Sequence, residues 1–237
     1  MDVNTKNKLL FRGGNPGAVQ YGNFINYYQF HPPEHRIDML PTDIWVQKQP
    51  FIALDIGCNA GDLTLSLYTF LTQNGNKECR ILGIDIDPVL IKRATEKANS
   101  NVVFKCVDFM DTNNRNKVIS DFLTSNRAIK FSACFCFSIT MWIHLNNGDT
   151  GLNLFLNEIC INTKILVIEP QPWKCYKAAL KRMKISPDKF LEYKNLKIRN
   201  CVEKEIENIL LRIEGILKIT ETNETRWGRK IIIFKVT

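Results

Sequence analysis

The sequence predicts an α/β domain built on a seven-stranded, mostly parallel sheet with helices on both faces and an antiparallel C-terminal hairpin. Three observations predict it. From residue 51 onward, short β-rich apolar runs alternate with helix-like segments, the pattern of parallel strands joined by helical crossovers. Phe51–Ile56 and Lys164–Glu169 are apolar almost throughout, as strands covered on both faces are. The last two runs, Gly215–Glu221 and Lys230–Val236, are joined only by Thr222–Arg229, with Asn223 and Gly228 as turn residues, so they read as a hairpin at the sheet edge.

Taken in order, residues 1–14 are polar, lack the apolar core of a secretory signal, and are expected to form a flexible lead. Residues 15–45 differ in character. Tyr21 to Phe30 places five aromatics in ten positions before His31-Pro32-Pro33 breaks the chain, too aromatic for a linker. This segment is expected to be a lid over the open edge of a core spanning 51–237, the whole of 15–237 forming one domain. The other expected strands are Arg80–Asp85, Val102–Val107 and Phe131–Phe137. Helices are expected at Asp62–Leu71, Pro88–Asn99, Asn116–Leu123, Thr150–Cys160, Trp173–Met183 and Val202–Arg212. Pro88 falls just inside a helix start, where its missing N–H removes no bond.

No apolar run approaches the roughly 18 residues that would suggest a membrane span. Eight cysteines, without C-x-x-C and mostly inside apolar runs, point to reduced thiols and no zinc set. A cytoplasmic location is expected from this thiol usage. The net charge of +8 is modest, but Lys174, Lys177, Lys181, Arg182, Lys184 and Lys189 crowd one segment, followed by Lys194, Lys197 and Arg199. That run is either a solvated helix face or a track for a polyanion.

The chemistry begins at the turn Asp55-Ile56-Gly57-Cys58-Asn59-Ala60-Gly61-Asp62, between the first strand and its helix, where open α/β sheets bind ligands. The spacing G-x-x-x-G lacks the phosphate-cradling G-x-G-x-x-G. Asn59 tolerates a left-handed backbone and adds an amide, which suits an amino-acid-like group better than a pyrophosphate. Asp85 ends the second strand and can accept from ribose hydroxyls. Asp108 ends the third and can accept from an adenine amino group, with the Phe109 N–H beside it. An amino acid, a ribose and an adenine across three successive strand ends describe S-adenosyl-L-methionine as cofactor.

Beyond the fourth and fifth strands stand SITMWIHLN (Ser138–Asn146) and EPQPWKCY (Glu169–Tyr176), and the lid carries YGNF…FHPPE. With these motifs the chain resembles the Bicoid-interacting protein 3 family of RNA 5′-phosphate methyltransferases, from about Gly14 onward. HPPE and SITMWIHLN match its 5′-monophosphate branch best. The branch that caps 7SK RNA on the γ-phosphate shares YGN and the glutamate-PQPW element. The resemblance implies a Rossmann-like methyltransferase sheet and cofactor contacts at Arg36, Asn59, Asp85, Asp108, Phe109 and the Phe137 backbone. Arg36 would reach the cofactor carboxylate. The chain departs from the family pattern at Phe137, where methionine is expected, and in its short Pro41–Phe51 connection.

A 5′-monophosphate has a second pKa near ~6, so its terminal oxygens are already nucleophilic at neutral pH and need positioning rather than a strong base. Tyr21, Asn23, His144, Asn146 and Gln171 are expected as neutral acceptor contacts, with Lys174 as a nearby charge. His144 is either such a contact or a structural histidine, and Trp142 and Trp173 either stack on a terminal base or belong to the core. The expected partner is a small RNA with a 5′-monophosphate, histidine tRNA and microRNA precursors being implied by the resemblance. DNA is not expected, nor is an oligomer. Two other readings stay open: γ-phosphate capping of a triphosphate RNA, and a non-catalytic RNA-binding scaffold with the same fold.

Overall fold

The structure is a computed structural model that describes residues 9, 19–47, 50–183 and 190–237. The expected lead, apart from Leu9, and Lys184 and Lys189 of the basic run lie outside the described residues. Strands β1 (Phe51–Ile56), β2 (Cys79–Asp85), β3 (Val102–Cys106), β4 (Ala133–Phe137), β5 (Ile165–Glu169), β6 (Ile216–Glu221) and β7 (Ile232–Val236) form one sheet in the order β3-β2-β1-β4-β5-β7-β6. The first five are mutually parallel, and β7 runs antiparallel to both β5 and β6. The hairpin therefore docks through its second strand and leaves β6 at the edge.

Helices α1 (Tyr27–Phe30) and α2 (Glu34–Ile37) precede the sheet. Then come α3 (Asp62–Gln73), α4 (Pro88–Lys97), α5 (Thr112–Ser125), α6 (Thr140–Ile161), α7 (Trp173–Met183) and α8 (Val202–Arg212). The period-2 pattern sorts side chains to two cores. Ile52, Leu54 and Ile56 of β1 join Cys134 and Cys136 of β4 on one face, packed with residues of α5 to α8. Phe51 and Ala53 join Ala133, Phe135 and Phe137 on the other, with α3, α4 and Trp45. Every residue of β1 and β4 is buried, as their near-continuous apolar sequence requires.

Asp87 caps α4, its side chain accepting from Val89 N–H and Leu90 N–H, and Pro88 follows at the first turn. One expectation needs correction. Helix α6 begins at Thr140, not at residue 150, so SITMWIHLN is largely helical. It bends at Gly148, whose backbone (φ 69°, ψ −175°) is non-helical. Ile139 at its start supplies no capping side chain, and the bend breaks the apolar period; the usual helix signals are missing on both sides. Among the described residues no helix is long and apolar enough to cross a membrane.

Candidate active site

Strand order reverses between β1 and β4, and the C-terminal ends of β1, β2 and β4 open there onto a cavity. Arg36, Asp55, Gly57, Asn59, Asp85, Asp108, Phe109 and Phe137 all line it. Asn59 has φ 52°, the left-handed conformation that asparagine tolerates. Its N–H donates to Asp85 Oδ2 at 2.9 Å, while Asp87 N–H donates to Asp85 Oδ1 at 2.9 Å. Each Asp85 oxygen thus keeps a further lone pair for a ligand hydroxyl. Thr64 Oγ1 donates to Asp55 Oδ2 at 2.6 Å. Burial pushes the Asp55 and Asp85 carboxyls up to about 6, in each case against the hydrogen bonds they accept, and raises Asp108 as well.

Arg36 comes from α2, packed over the sheet by the aromatic segment, and is fully buried. Its Nε and Nη2 donate to Glu169 Oε2 at 3.1 and 2.7 Å, and Nη2 also reaches Tyr27 Oη at 2.8 Å and Ser138 Oγ at 3.0 Å. Burial works to raise the Glu169 carboxyl, but Arg36 and then Arg229 outweigh it and hold Glu169 below its ordinary range. Arg36 Nη1 is buried without a hydrogen-bond partner among the described residues. A ligand carboxylate in this cavity would supply one. Ser138, with φ 56°, is the centre of the group: Oγ donates to Glu169 Oε2 and receives Arg36 and Arg229, and its carbonyl accepts from Gln171 Nε2. A non-glycine residue held there is strained, as residues at functional sites often are.

A second cavity, about 530 Å³, shares Tyr27, Ser138 and Trp142 with the first. Phe24, Phe30, Gln171, Cys175, Arg182 and Arg229 also line it. Of the residues expected to contact an acceptor, Gln171 lines this cavity, while Tyr21 and Asn146 line the first. Asn146 Nδ2 donates to the carbonyls of Gln20 and Trp142, tying the lid segment to α6. Burial raises the Tyr21 hydroxyl pKa, with Asp108 adding to it.

Three expectations are corrected by position. His144 is fully buried, with Nδ1 on Tyr176 Oη at 3.0 Å and Nε2 on Asp149 Oδ1 at 2.8 Å, so no ring nitrogen is left for a phosphate. Asn23 Nδ2 donates to Asp87 Oδ2 at 2.7 Å and to the Leu9 carbonyl, anchoring the lid on the cap of α4. Lys174 is exposed and lines neither cavity. Trp173 is packed between Tyr176 and Tyr193 with Arg199 over its ring, which settles it as core, whereas Trp142 forms cavity wall. Arg199 also donates to the carbonyls of Tyr193, Lys194 and Leu196, so it is removed from the basic run.

Sequence reasoning did not single out Tyr27, His31, Ser138, Glu169, Trp227 or Arg229 as site residues. Ser138 and Glu169 sit at strand ends, where the rule that selected Asp85 and Asp108 applies equally. Trp227 Nε1 donates to Glu169 Oε1 at 2.8 Å from the β6–β7 turn, and no local signal marks such a contact.

Comparison with known proteins adds lineage. The family described as Bicoid-interacting protein 3 matches residues 131–236, and the ubiE/COQ5 methyltransferase family matches residues 34–131. The chain is 40% identical to an RNA 5′-monophosphate methyltransferase of Pongo abelii over 93% of its own length and 82% of the relative's. It is 38% identical to a pre-miRNA 5′-monophosphate methyltransferase of Xenopus laevis, over 93% and 94%. Among solved structures, the N-methyltransferase NodS from Bradyrhizobium japonicum WM9, in complex with S-adenosyl-L-homocysteine, superposes with a TM-score of 0.51. It covers 79% of each chain at 14% identity.

Proposed function

The chain belongs to the Bicoid-interacting protein 3 family, among its RNA 5′-monophosphate methyltransferases, and we propose that it methylates the terminal phosphate of a small RNA. The observation that carries this is the wall of Tyr27, Ser138 and Trp142 between two cavities of different chemistry. On one side stand the strand-end carboxylates Asp85 and Asp108. On the other, aromatic side chains are interleaved with Arg182 and Arg229.

The first cavity fits S-adenosyl-L-methionine, because the partnerless Nη1 of Arg36 and the spare lone pairs of Asp85 match a carboxylate and a ribose. Arg36 would hold the carboxylate, Asn59 and Gly57 the amino-acid end, Asp85 the ribose, and Asp108 with the Phe109 N–H the adenine. Asp55 braces the turn through Thr64, and Phe137 closes the wall. When bound, this cofactor would supply an electrophilic sulfonium methyl group to a phosphate oxygen.

The chain's own part is orientation. Ser138 and Gln171 fix the backbone at the shared wall, so that an oxygen held in the second cavity meets the first at one place. Lys177 and Lys181 are exposed on α7, which bounds the second cavity through Cys175, Ala178 and Arg182; they are suited to follow an RNA backbone. Protein, labelled cofactor and RNAs with hydroxyl, monophosphate or triphosphate 5′ ends provide the test. Label should enter the monophosphate RNA and resist removal of the RNA's interior. Label on hydroxyl-ended RNA defeats the reading, and preference for the triphosphate replaces it with γ-phosphate capping.

A further inference from the structure

The second cavity gathers nitrogen donors whose partners are missing. Arg229 donates through Nη1 to Ser138 Oγ and through Nη2 to Cys175 Sγ at 3.7 Å, while its Nε is buried without a partner among the described residues. His31 stacks on Tyr27, with ring centroids 4.7 Å apart and planes within 8°, and meets Trp227 edge-on at 4.8 Å. Its Nδ1 is likewise buried and partnerless. The guanidinium of Arg182 lies over the Phe24 ring at 5.6 Å. All three line the one cavity, and among the described residues no carboxylate lines it with them.

A buried donor without an acceptor is costly, and two around one cavity call for an acceptor that arrives with the ligand. That acceptor is anionic. Two arginines face the space, and Glu169, the carboxylate that acts on Arg229 through its charge, has its oxygens taken by Arg36, Ser138 and Trp227. The anion must also be compact, since Arg229 and His31 reach in from the wall that carries Ser138. A terminal phosphate has three acceptor oxygens and a charge of about −1.5 to −2.

We propose that Arg229 and His31 form the seat of the acceptor's terminal phosphate, a phosphomonoester, with Arg182 at its mouth. This deepens the function proposed above and rests on it for the identity of the acceptor. Burial, and then Arg229 and Arg36, lower the His31 pKa to about 4, so the ring is neutral at neutral pH and gives a hydrogen bond without a charge. The bound phosphate then faces Arg229 as the charged group of the seat and keeps much of its nucleophilicity. Ser138, bonded to Arg229, aligns the seat with the cofactor cavity.

The test is equilibrium binding, which does not depend on methyl transfer. One RNA oligonucleotide carrying a 5′-monophosphate or a 5′-hydroxyl is titrated against the protein in the presence of S-adenosyl-L-homocysteine, with inorganic phosphate as competitor. The wild type should prefer the monophosphate by at least about tenfold, the scale of a few charge-assisted hydrogen bonds, and inorganic phosphate should erase the preference. Arg229→Gln should bring the preference near unity while S-adenosyl-L-homocysteine and hydroxyl-ended RNA bind as before. His31→Phe, which preserves stacking on Tyr27, should reduce it several-fold and keeps the test decisive if Arg229→Gln does not fold. Absence of a preference in the wild type, or its full retention in His31→Phe and in folded Arg229→Gln, overturns the seat. A preference that depends on these residues in a protein that methylates no monophosphate end would preserve the seat and sink the function.

Discussion

Arg36 Nη2 lies 2.7 Å from Glu169 Oε2, and both side chains are completely withdrawn from solvent. The pair joins α2, before the sheet begins, to the end of β5, and a second cation, Arg229, approaches the same carboxylate through Ser138. Glu169→Gln leaves the buried guanidinium of Arg36 and the half-buried one of Arg229 facing a neutral amide. Its expected cost is about 3–5 kcal/mol, the range for breaking a buried pair. Denaturant unfolding measures this. A variant as stable as the wild type would mean that the guanidiniums are compensated elsewhere.

The carboxyls under the first cavity make a prediction with opposite signs. Asp85 is raised by burial to about 6 from an ordinary 3.8. The native state therefore holds this proton more tightly than the unfolded chain. The cost of burying the charge is fully present above pH 6 and is relieved as pH falls from 6 toward 3.8, and Asp55 follows the same course. Protonation also removes an acceptor from the ribose position. Between pH 7.5 and 5, these groups should add stability to the free protein while S-adenosyl-L-homocysteine loses affinity. Thermal unfolding with and without that ligand should show the ligand-induced shift shrinking below pH 6, and Asp85→Asn should flatten the dependence.

His144 is predicted to matter for folding and not for the acceptor. Burial lowers its pKa against the pull of Asp149. Burial opposes ionisation of Asp149 too, but the N–H groups of Lys197 and Ile198 and the His144 ring hold its carboxyl low. His144→Ala leaves the Tyr176 hydroxyl short of a partner and loosens the junction between α6 and the 196–198 segment. A loss of about 1–3 kcal/mol is expected for each buried group orphaned. KM for RNA measured well below the new Tm should stay within about twofold. A large KM change without a stability change would return His144 to the acceptor site.

Gly22 adopts φ 77°, and a Cβ added there would fall inside the Trp142 indole. Gly22→Ala should therefore lift the lid segment from the wall shared by the two cavities. The expected result is weaker S-adenosyl-L-homocysteine binding, about tenfold by calorimetry, with a change in Tm of only a few degrees because the sheet core is untouched. Unchanged affinity would detach the lid from cofactor binding.

Most of the sheet was legible because its signals are local. Alternation and apolar runs located all seven strands to within two residues, and the carboxylates at the ends of β2 and β3 follow from strand ends alone. The lid's aromatic content marked it as something other than a linker, but not which residues face the site: Tyr27 lines both cavities, whereas Asn23 turns to the cap of α4. The cluster around Glu169 was illegible for a geometric reason. Arg36 is 133 residues from Glu169, and Arg229 is 91 from Ser138, so only the folded sheet brings them together. His144, inferred as an acceptor contact from its motif position, erred in the same way. SITMWIHLN is helical, so His144 points into the core while Trp142, two positions earlier, faces the cavities.

The placement of β7 between β5 and β6 has a consequence for biosynthesis. A ribosome delivers Arg36 and Glu169 well before it delivers the β6–β7 turn that carries Trp227 and Arg229. Until that turn emerges, Glu169 lacks its bond from Trp227, Ser138 lacks its bond from Arg229, and the second cavity lacks one wall. The second cavity is therefore closed by the last segment of the chain to be synthesised.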